Sequence, residues 1–407
     1  MHTAHSFFSR RSFLARGFQL LSATITVPNF LHRSARCLAA ERANDRVLVV
    51  VQLGGGNDGL NTVVPIRNDD YYRARPTLAV PKSAALPLND DFGLHPSCAG
   101  FKAMYDAGDL AIVQAVGYPN LNRSHFRGSD IWFTAEPERL GSTGWLGRFC
   151  DAVCRGEDAE GEAGMALAMG SEPPVALRGS RCHALTFDMG HQAGDAIAHE
   201  MSDQAASGPT AGGEQFIERT VLNARFYSDK IARIRRSAAG QVKYPEQPLA
   251  QSMREVARLI ASDMPTRIYY VKIKGFDTHA GQLEMHPKLL QELSGSIAAF
   301  VEDLKQSGHY QRTVLMTFSE FGRRVAENAS GTDHGEAAPM FFTGGGIKPG
   351  FFGTFPSLAP ERLHRGDVPF TTDFRQVYAT VLRRWLGADD VKILGGSYES
   401  LDLFKRA

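Results

Sequence analysis

Five short, nearly continuous apolar runs constrain what this chain can fold into. They are Arg46–Leu53, Leu110–Val116, Arg267–Ile273, Thr313–Phe318 and Pro339–Thr343. Apolar residues do not alternate with polar ones in them, so each reads as a strand buried on both faces, as in a parallel sheet. Each stops at glycine or a polar cluster: Gly54-Gly55-Gly56, Gly117, Gly275, Ser319-Glu320-Phe321-Gly322 and Gly344-Gly345-Gly346. Helical patterns separate them at Phe101–Ala107, Ile217–Arg236, Leu249–Ser262 and Pro287–Lys305. In the last of these, Leu289, Leu290, Leu293, Ile297, Phe300, Val301 and Leu304 recur three or four apart. Asp373–Leu386 forms a final helix, capped by Asp373 or Thr372. Strands alternating with helices predict an α/β fold with a mostly parallel sheet.

Composition narrows the class. Among 407 residues, 43% are hydrophobic and 22% charged, which excludes a disordered or fibrous chain. At roughly 150 residues per domain the length fits two or three domains, or one large α/β domain. No segment reaches the roughly 20 apolar residues of a membrane span. A formal charge of +1 leaves no footprint for nucleic acid. That charge is uneven, because residues 1–40 carry Arg10, Arg11, Arg16, Arg33 and Arg36 with no acid or lysine. Without them the balance is 40 basic against 44 acidic.

Those first 40 residues are read as a leader. Ser9-Arg10-Arg11-Ser12-Phe13-Leu14, a mildly apolar stretch from Gly17 to Leu31 and small residues near Ala40 resemble a twin-arginine export signal. The resemblance implies export of an already folded protein by the twin-arginine translocation machinery to the periplasm or another extracytoplasmic space. Cys98, Cys150, Cys154 and Cys182 follow the leader. Cys150 and Cys154 lie one helical turn apart, as buried thiols or as a pair an oxidising compartment would permit to bond. A domain over residues 41–390 is expected, with a variable insertion near 155–245 and a tail at 391–407. Arg155–Gly164 and Met201–Glu214 read as exposed loops in the insertion.

Ligands in open α/β sheets bind at the carboxyl ends of strands. Here those ends carry Asn57 and Asp58, then Asn122, Arg123, Ser124 and His125, then Asp277, Thr278 and His279, then Glu320 and Arg323. Asp333 and His334 precede the fifth run. This mix of oxygen and nitrogen donors suits Zn, Mn, Mg or Ca. Ser124 could be a metal-activated nucleophile, with Arg123 or Arg323 holding an ester's oxygens. Each residue also has a plainer reading. Asp58 fits a turn, Asp277-Thr278-His279 a helix cap, Asp333-His334 a loop, Glu320 a helix start and Ser124 an N-cap. His95 and His286 each precede proline and read as structural. Gly54, Gly56 and Gly59 approximate a dinucleotide fingerprint, but Pro65 stops the helix that such a site needs.

Six motifs occur in order: Gly-Gly-Asn-Asp-Gly-Leu-Asn (55–61), Leu-His-Pro (94–96), Arg-Ser-His-Phe (123–126), Gly-Phe-Asp-Thr-His (275–279), Ser-Glu-Phe-Gly-Arg (319–323) and Gly-Thr-Asp-His-Gly (331–335). The series resembles the bacterial domain-of-unknown-function 1501 family, placed by similarity in the alkaline phosphatase–sulfatase superfamily. The resemblance implies a three-layer α/β/α, alkaline phosphatase-like fold with one or two divalent ions at the strand ends. It implies Asp58, Asp277, His279, Glu320 and His334 as metal ligands, with Ser124 in the nucleophile's place; Asp333 joins the ligand set from its own position beside His334, and Glu320 is a ligand or a general base. Three departures stand out. Asp277 and His279 are two apart, where the alkaline phosphatase pattern has four. Glu320-Phe321 replaces an Asp-His pair, and no Cys-x-Pro-x-Arg run for a formylglycine is present. The expected function is an exported metal-dependent hydrolase of small-molecule or polymeric phosphate or sulfate esters. The alternative is a non-catalytic exported binding or assembly protein on the same fold.

Overall fold

A computed structural model describes residues 45–153, 165–181, 184–187, 230–234, 241–262 and 264–405. The apolar runs become strands displaced by about one residue from the expected bounds. The main sheet contains β1 (Val47–Gly54), β2 (Ala111–Gly117), β3 (Ala166–Met169), β4 (Leu185–Phe187), β5 (Ile268–Lys274), β6 (Thr313–Ser319), β7 (Ala338–Gly344), β8 (Gly350–Phe352) and β9 (Thr372–Asp373). Their order is β8-β2-β7-β6-β1-β5-β3-β4, with β9 also paired to β2. All eight residues of β1 are buried, between parallel neighbours in the registers Leu48↔Ile268 and Leu48↔Val314. Only β7 runs antiparallel in the main sheet among the described residues, to β2 on one side and β6 on the other. Its amino end therefore lies at the edge where the other strands have their carboxyl ends.

Alternate residues of β1 point to opposite faces and seed two cores. Leu48 and Val50 join Trp132, Trp145, Phe149 and Tyr378, from α2 (His125–Thr134), α3 (Trp145–Val153) and α6 (Phe374–Thr380). Val49 and Val51 join Phe101, Met253 and Phe300, from α1 (Ala99–Asp106), α4 (Pro248–Ala261) and α5 (Gln282–Gln306). Helices on both faces of a mostly parallel sheet make the expected three-layer α/β/α arrangement. α6 starts at a capping box, in which Asp373 accepts from the Arg375 amide and Gln376 reaches back to the Asp373 amide.

Three expectations need correction. α5 starts five residues before Pro287, because the Gln282 amide donates to Ser330 O at 3.1 Å and its side chain turns into the protein. Part of the region expected as an insertion belongs to the main sheet. Ala166–Met169 and Leu185–Phe187 add parallel strands beyond β5, and both are too short for their periodicity to be read. The loops expected at 155–164 and 201–214, the leader, Cys154, Cys182 and most of the 217–236 helix lie outside the described residues.

Residues 391–405 are not a tail. Ile393, Leu394, Leu403 and Phe404 enter the first core, and the Lys348 amide donates to Leu403 O at 2.9 Å. Leu403 has no exposed surface. Leu403→Ala is expected to cost about 3 kcal/mol, as for other buried leucines. The check is a lowered urea midpoint at unchanged m-value; a change under about 0.5 kcal/mol would return this segment to the surface.

Candidate metal centre

Glycine geometry brings the strand-end loops together. Gly55 has φ +122°, and a Cβ there would lie 2.3 Å from Asp277 N. Gly56 has φ +83°, and its Cβ would meet the Phe321 ring at 2.4 Å. Only glycine fits at both positions. The loop after β1 thus lies directly on the loops after β5 and β6. Arg323 ties them from inside. Its Nε donates to Gly56 O at 2.7 Å, Nη1 to Thr332 O at 2.7 Å, and Nη2 to Phe276 O at 2.9 Å and Asp277 Oδ1 at 2.8 Å, with Gly55 O also in reach. A two-residue antiparallel bridge pairs Arg323 with His334 and carries the segment before β7 to the same place.

Three imidazoles face Asp277 here. His334 Nε2 lies 3.0 Å and His279 Nε2 3.2 Å from Asp277 Oδ1, and His125 Nε2 lies 3.2 Å from Oδ2. Each ring is held by its other nitrogen. His125 Nδ1 donates to Glu320 Oε1 at 3.1 Å, His279 Nδ1 to Asp333 Oδ1 at 3.1 Å, and His334 Nδ1 to Arg123 O at 2.8 Å. The three Nε2 atoms converge on the Asp277 carboxylate, and those of His279 and His334 are 3.0 Å apart. Three of these residues form a group that could hold a cation. His125, Asp277 and His334 each offer an atom within 4.8 Å of the others'. Their closest separations approach the edge of roughly 3.3 Å expected for tetrahedral ligands with ~2.0 Å bonds.

The remaining expected residues stand elsewhere. Glu320 and Asp333 sit behind His125 and His279 and orient those rings. Asp58 is turned away and fully buried. Its Oδ2 accepts from Arg75 Nη1 at 2.7 Å and from Gln282 Nε2, and its Oδ1 accepts from the Asn61 amide. The Arg123 guanidinium pairs with Asp367 at 2.6 Å, and the Arg323 side chain has no exposed surface. Arg323 is closed to a substrate, because every guanidinium nitrogen is committed to a protein acceptor, whereas Arg123 is 45% exposed and commits only Nη2, to Asp367. Ser124 is the N-cap of α2, exposed, and makes no side-chain cap bond. Sequence reasoning placed His125 at the strand end but not among the ligands. Its position at the first turn of a helix after a strand was the available signal. Arg75 and Gln282 gave none, since they act through Asp58 from 17 and 224 positions away.

The family described as "protein of unknown function (DUF1501)" matches residues 45–395. The chain belongs to this family. No curated relative matches it at a significant level. Solved structures similar to this DUF1501 chain include a protein in the alkaline phosphatase superfamily from Vibrio parahaemolyticus (10% identity, 86% of this chain and 69% of that one, TM-score 0.39). Others are a sulfatase from Pseudoalteromonas sp. (11% identity, 90% and 72% covered, TM-score 0.39) and a phosphonate monoester hydrolase from Silicibacter pomeroyi (10% identity, 86% and 77% covered, TM-score 0.37).

Electrostatics in the DUF1501 centre favour a charged Asp277 carboxylate and a neutral His334 ring, the forms in which such groups ligate metal. Burial opposes ionisation of Asp277, but hydrogen bonds from His334 and Arg323 and the Arg323 charge outweigh it and hold the carboxyl far below its usual range. Burial lowers the His334 pKa, against the pull of Asp277. Burial also opposes ionisation of Asp58, and Arg75 reverses the effect. His95 and His286 support the site from outside it. The Ser97 amide donates to His95 Nδ1 at 3.1 Å, and His286 Nε2 lies 3.0 Å from Asn57 Oδ1.

Burial pushes the His286 pKa down to about 4. A histidine depressed in the folded state lends stability that is complete above its unfolded pKa of about 6.5 and is lost as pH falls toward 4. About 3 kcal/mol is expected to disappear across that window. Urea unfolding at a series of pH values should show this slope, and His286→Gln should flatten it. An equal slope in the variant would assign the loss to other groups.

Proposed function

We propose that the chain is an exported, metal-dependent hydrolase of phosphate or sulfate esters that works with one divalent ion. The observation that carries the reading is the set of imidazoles fixed through Nδ1, with their Nε2 atoms converging on Asp277. This arrangement of outer acceptors is how proteins preorganise histidine ligands. His125, Asp277 and His334 would hold the ion, and two imidazoles with one carboxylate suit zinc better than magnesium or calcium. When bound, the ion supplies a Lewis acid toward an ester oxygen. His279, backed by Asp333, stands beside this triad and is assigned proton transfer at the substrate rather than ligation. Ser124 is assigned as nucleophile. A serine at an N-cap normally spends its hydroxyl on its own helix, and this one does not. It also precedes His125 directly, at the positive end of α2.

Export belongs to the same proposal and rests on Arg10-Arg11 and the leader that contains them. No described helix is long and apolar enough to cross a membrane. Changing Arg10 and Arg11 together to Lys is expected to hold the folded protein in the cytoplasm, scored by cell fractionation.

Elemental mass spectrometry of the folded mature protein tests the centre. About one equivalent of metal is expected in wild type, with loss in His125→Ala and Asp277→Ala and retention in His279→Ala and Ser124→Ala. Ser124→Ala should abolish turnover of aryl phosphate, phosphonate or sulfate esters. Absence of metal under every loading condition would sink the proposal. Bound metal with no turnover of any such ester would favour a binding protein on the same fold.

A further inference from the structure

An ester anion at this centre gains from positive charge beyond one ion, which the buried Arg323 does not offer and Arg123 offers only from beside Asp367. Arg323 is buried among four backbone carbonyls and Asp277, and Arg123 pairs with Asp367. The carboxyl end of β5 carries two exposed cations instead, Lys272 and Lys274. Neither ammonium has a hydrogen bond or ion pair among the described residues. Lys272 is the one whose path is fixed. Its stem crosses the end of β1 through the space that Gly54 leaves, where a Cβ would lie 2.7 Å from Lys272 Cε and 3.6 Å from Nζ. One residue further on, the Gly55 amide donates to Glu320 Oε1 at 2.7 Å, the same oxygen that holds His125. The Glu320 side chain is 3% exposed, and its Oε2 has no partner. Burial makes the Lys272 ammonium less basic, while the Glu320 charge works to retain its proton.

We propose that Lys272 is a specificity-determining residue that binds the non-bridging oxygens of a tetrahedral oxyanion seated beside His125 and Asp277. Gly54 is required so that the stem can reach it. This inference rests on the ester-hydrolase reading and goes further by naming the group that selects an anionic substrate.

The experiment is calorimetric titration of metal-loaded protein with inorganic phosphate and, separately, with inorganic sulfate. Lys272→Met is expected to weaken binding by about tenfold, as for loss of a charge-assisted bond, with metal content unchanged. Lys272→Arg should recover part of it. Gly54→Ala displaces the lysine stem without altering any proposed ligand, so it should weaken binding in the same direction and reports independently should Lys272→Met fold poorly. Lys82→Met removes an exposed lysine in the chain between β1 and α1 and should leave affinity unchanged. A loss seen with phosphate alone supports phosphate esters, and a loss with both anions supports tetrahedral oxyanions generally. Equal affinity in wild type, Lys272→Met and Gly54→Ala overturns this inference alone. A metal-loaded wild type that binds neither anion overturns it together with the ester reading.

Discussion

The rest of the site depends on the buried guanidinium of Arg323. Its acceptors come from three separate stretches: Gly55 and Gly56 after β1, Phe276 and Asp277 after β5, and Thr332 before β7. Removing an ion from water costs several kcal/mol unless hydrogen bonds replace its hydration. Here each guanidinium nitrogen has an acceptor, so the loops can satisfy the charge only by staying where they are. Asp277 is half exposed, yet Arg323 fixes its Oδ1 and thereby fixes the point on which the imidazoles converge. The glycines at 55 and 56 permit this closeness, and the arginine gives it a single geometry.

Around that point the carboxylates divide their work. Asp277 faces the centre, whereas Glu320 and Asp333 each stand behind a ring and accept its Nδ1 proton. The Arg123 carbonyl does the same for His334. A ring held in this way presents one lone pair in one direction, which spares the ordering cost when a ligand arrives. Because β7 is antiparallel, the segment that precedes it brings Asp333 and His334 to this layer at its amino end. The other site residues reach it from carboxyl ends.

The sheet was legible because strands buried on both faces are nearly continuous apolar runs, and five of them stood out. Ala166–Met169 and Leu185–Phe187 did not, since three or four residues cannot show a period. Leu403 and Phe404 were unreadable as core for the same reason. The site's location followed from the strand ends, but the roles did not. Whether a carboxylate meets an ion or the back of an imidazole depends on side-chain direction, which spacing along the chain does not encode. Asp58 shows this best. Between glycines and asparagines it looks like an open turn, yet it folds inward and meets Arg75. His125 was obscured for a related reason, standing beside a serine whose hydroxyl drew the chemical interest.

The Asp58–Arg75 pair also bears on how many ions the centre would take. Both side chains are fully buried, and Arg75 is further held by Val325 O, Arg324 O and Asn61 Oδ1. An ion bound at Asp58 would have to displace a guanidinium whose other bonds all point to fixed backbone or buried side chains. That would leave the displaced charge buried without its partner, which is among the most costly changes a core can undergo. The protein thus supplies its own cation at the carboxylate that the motif series resembled as a first-strand ligand. Arg323 supplies another beside Asp277. Both carboxylates are thus neutralised from within the protein by buried guanidiniums.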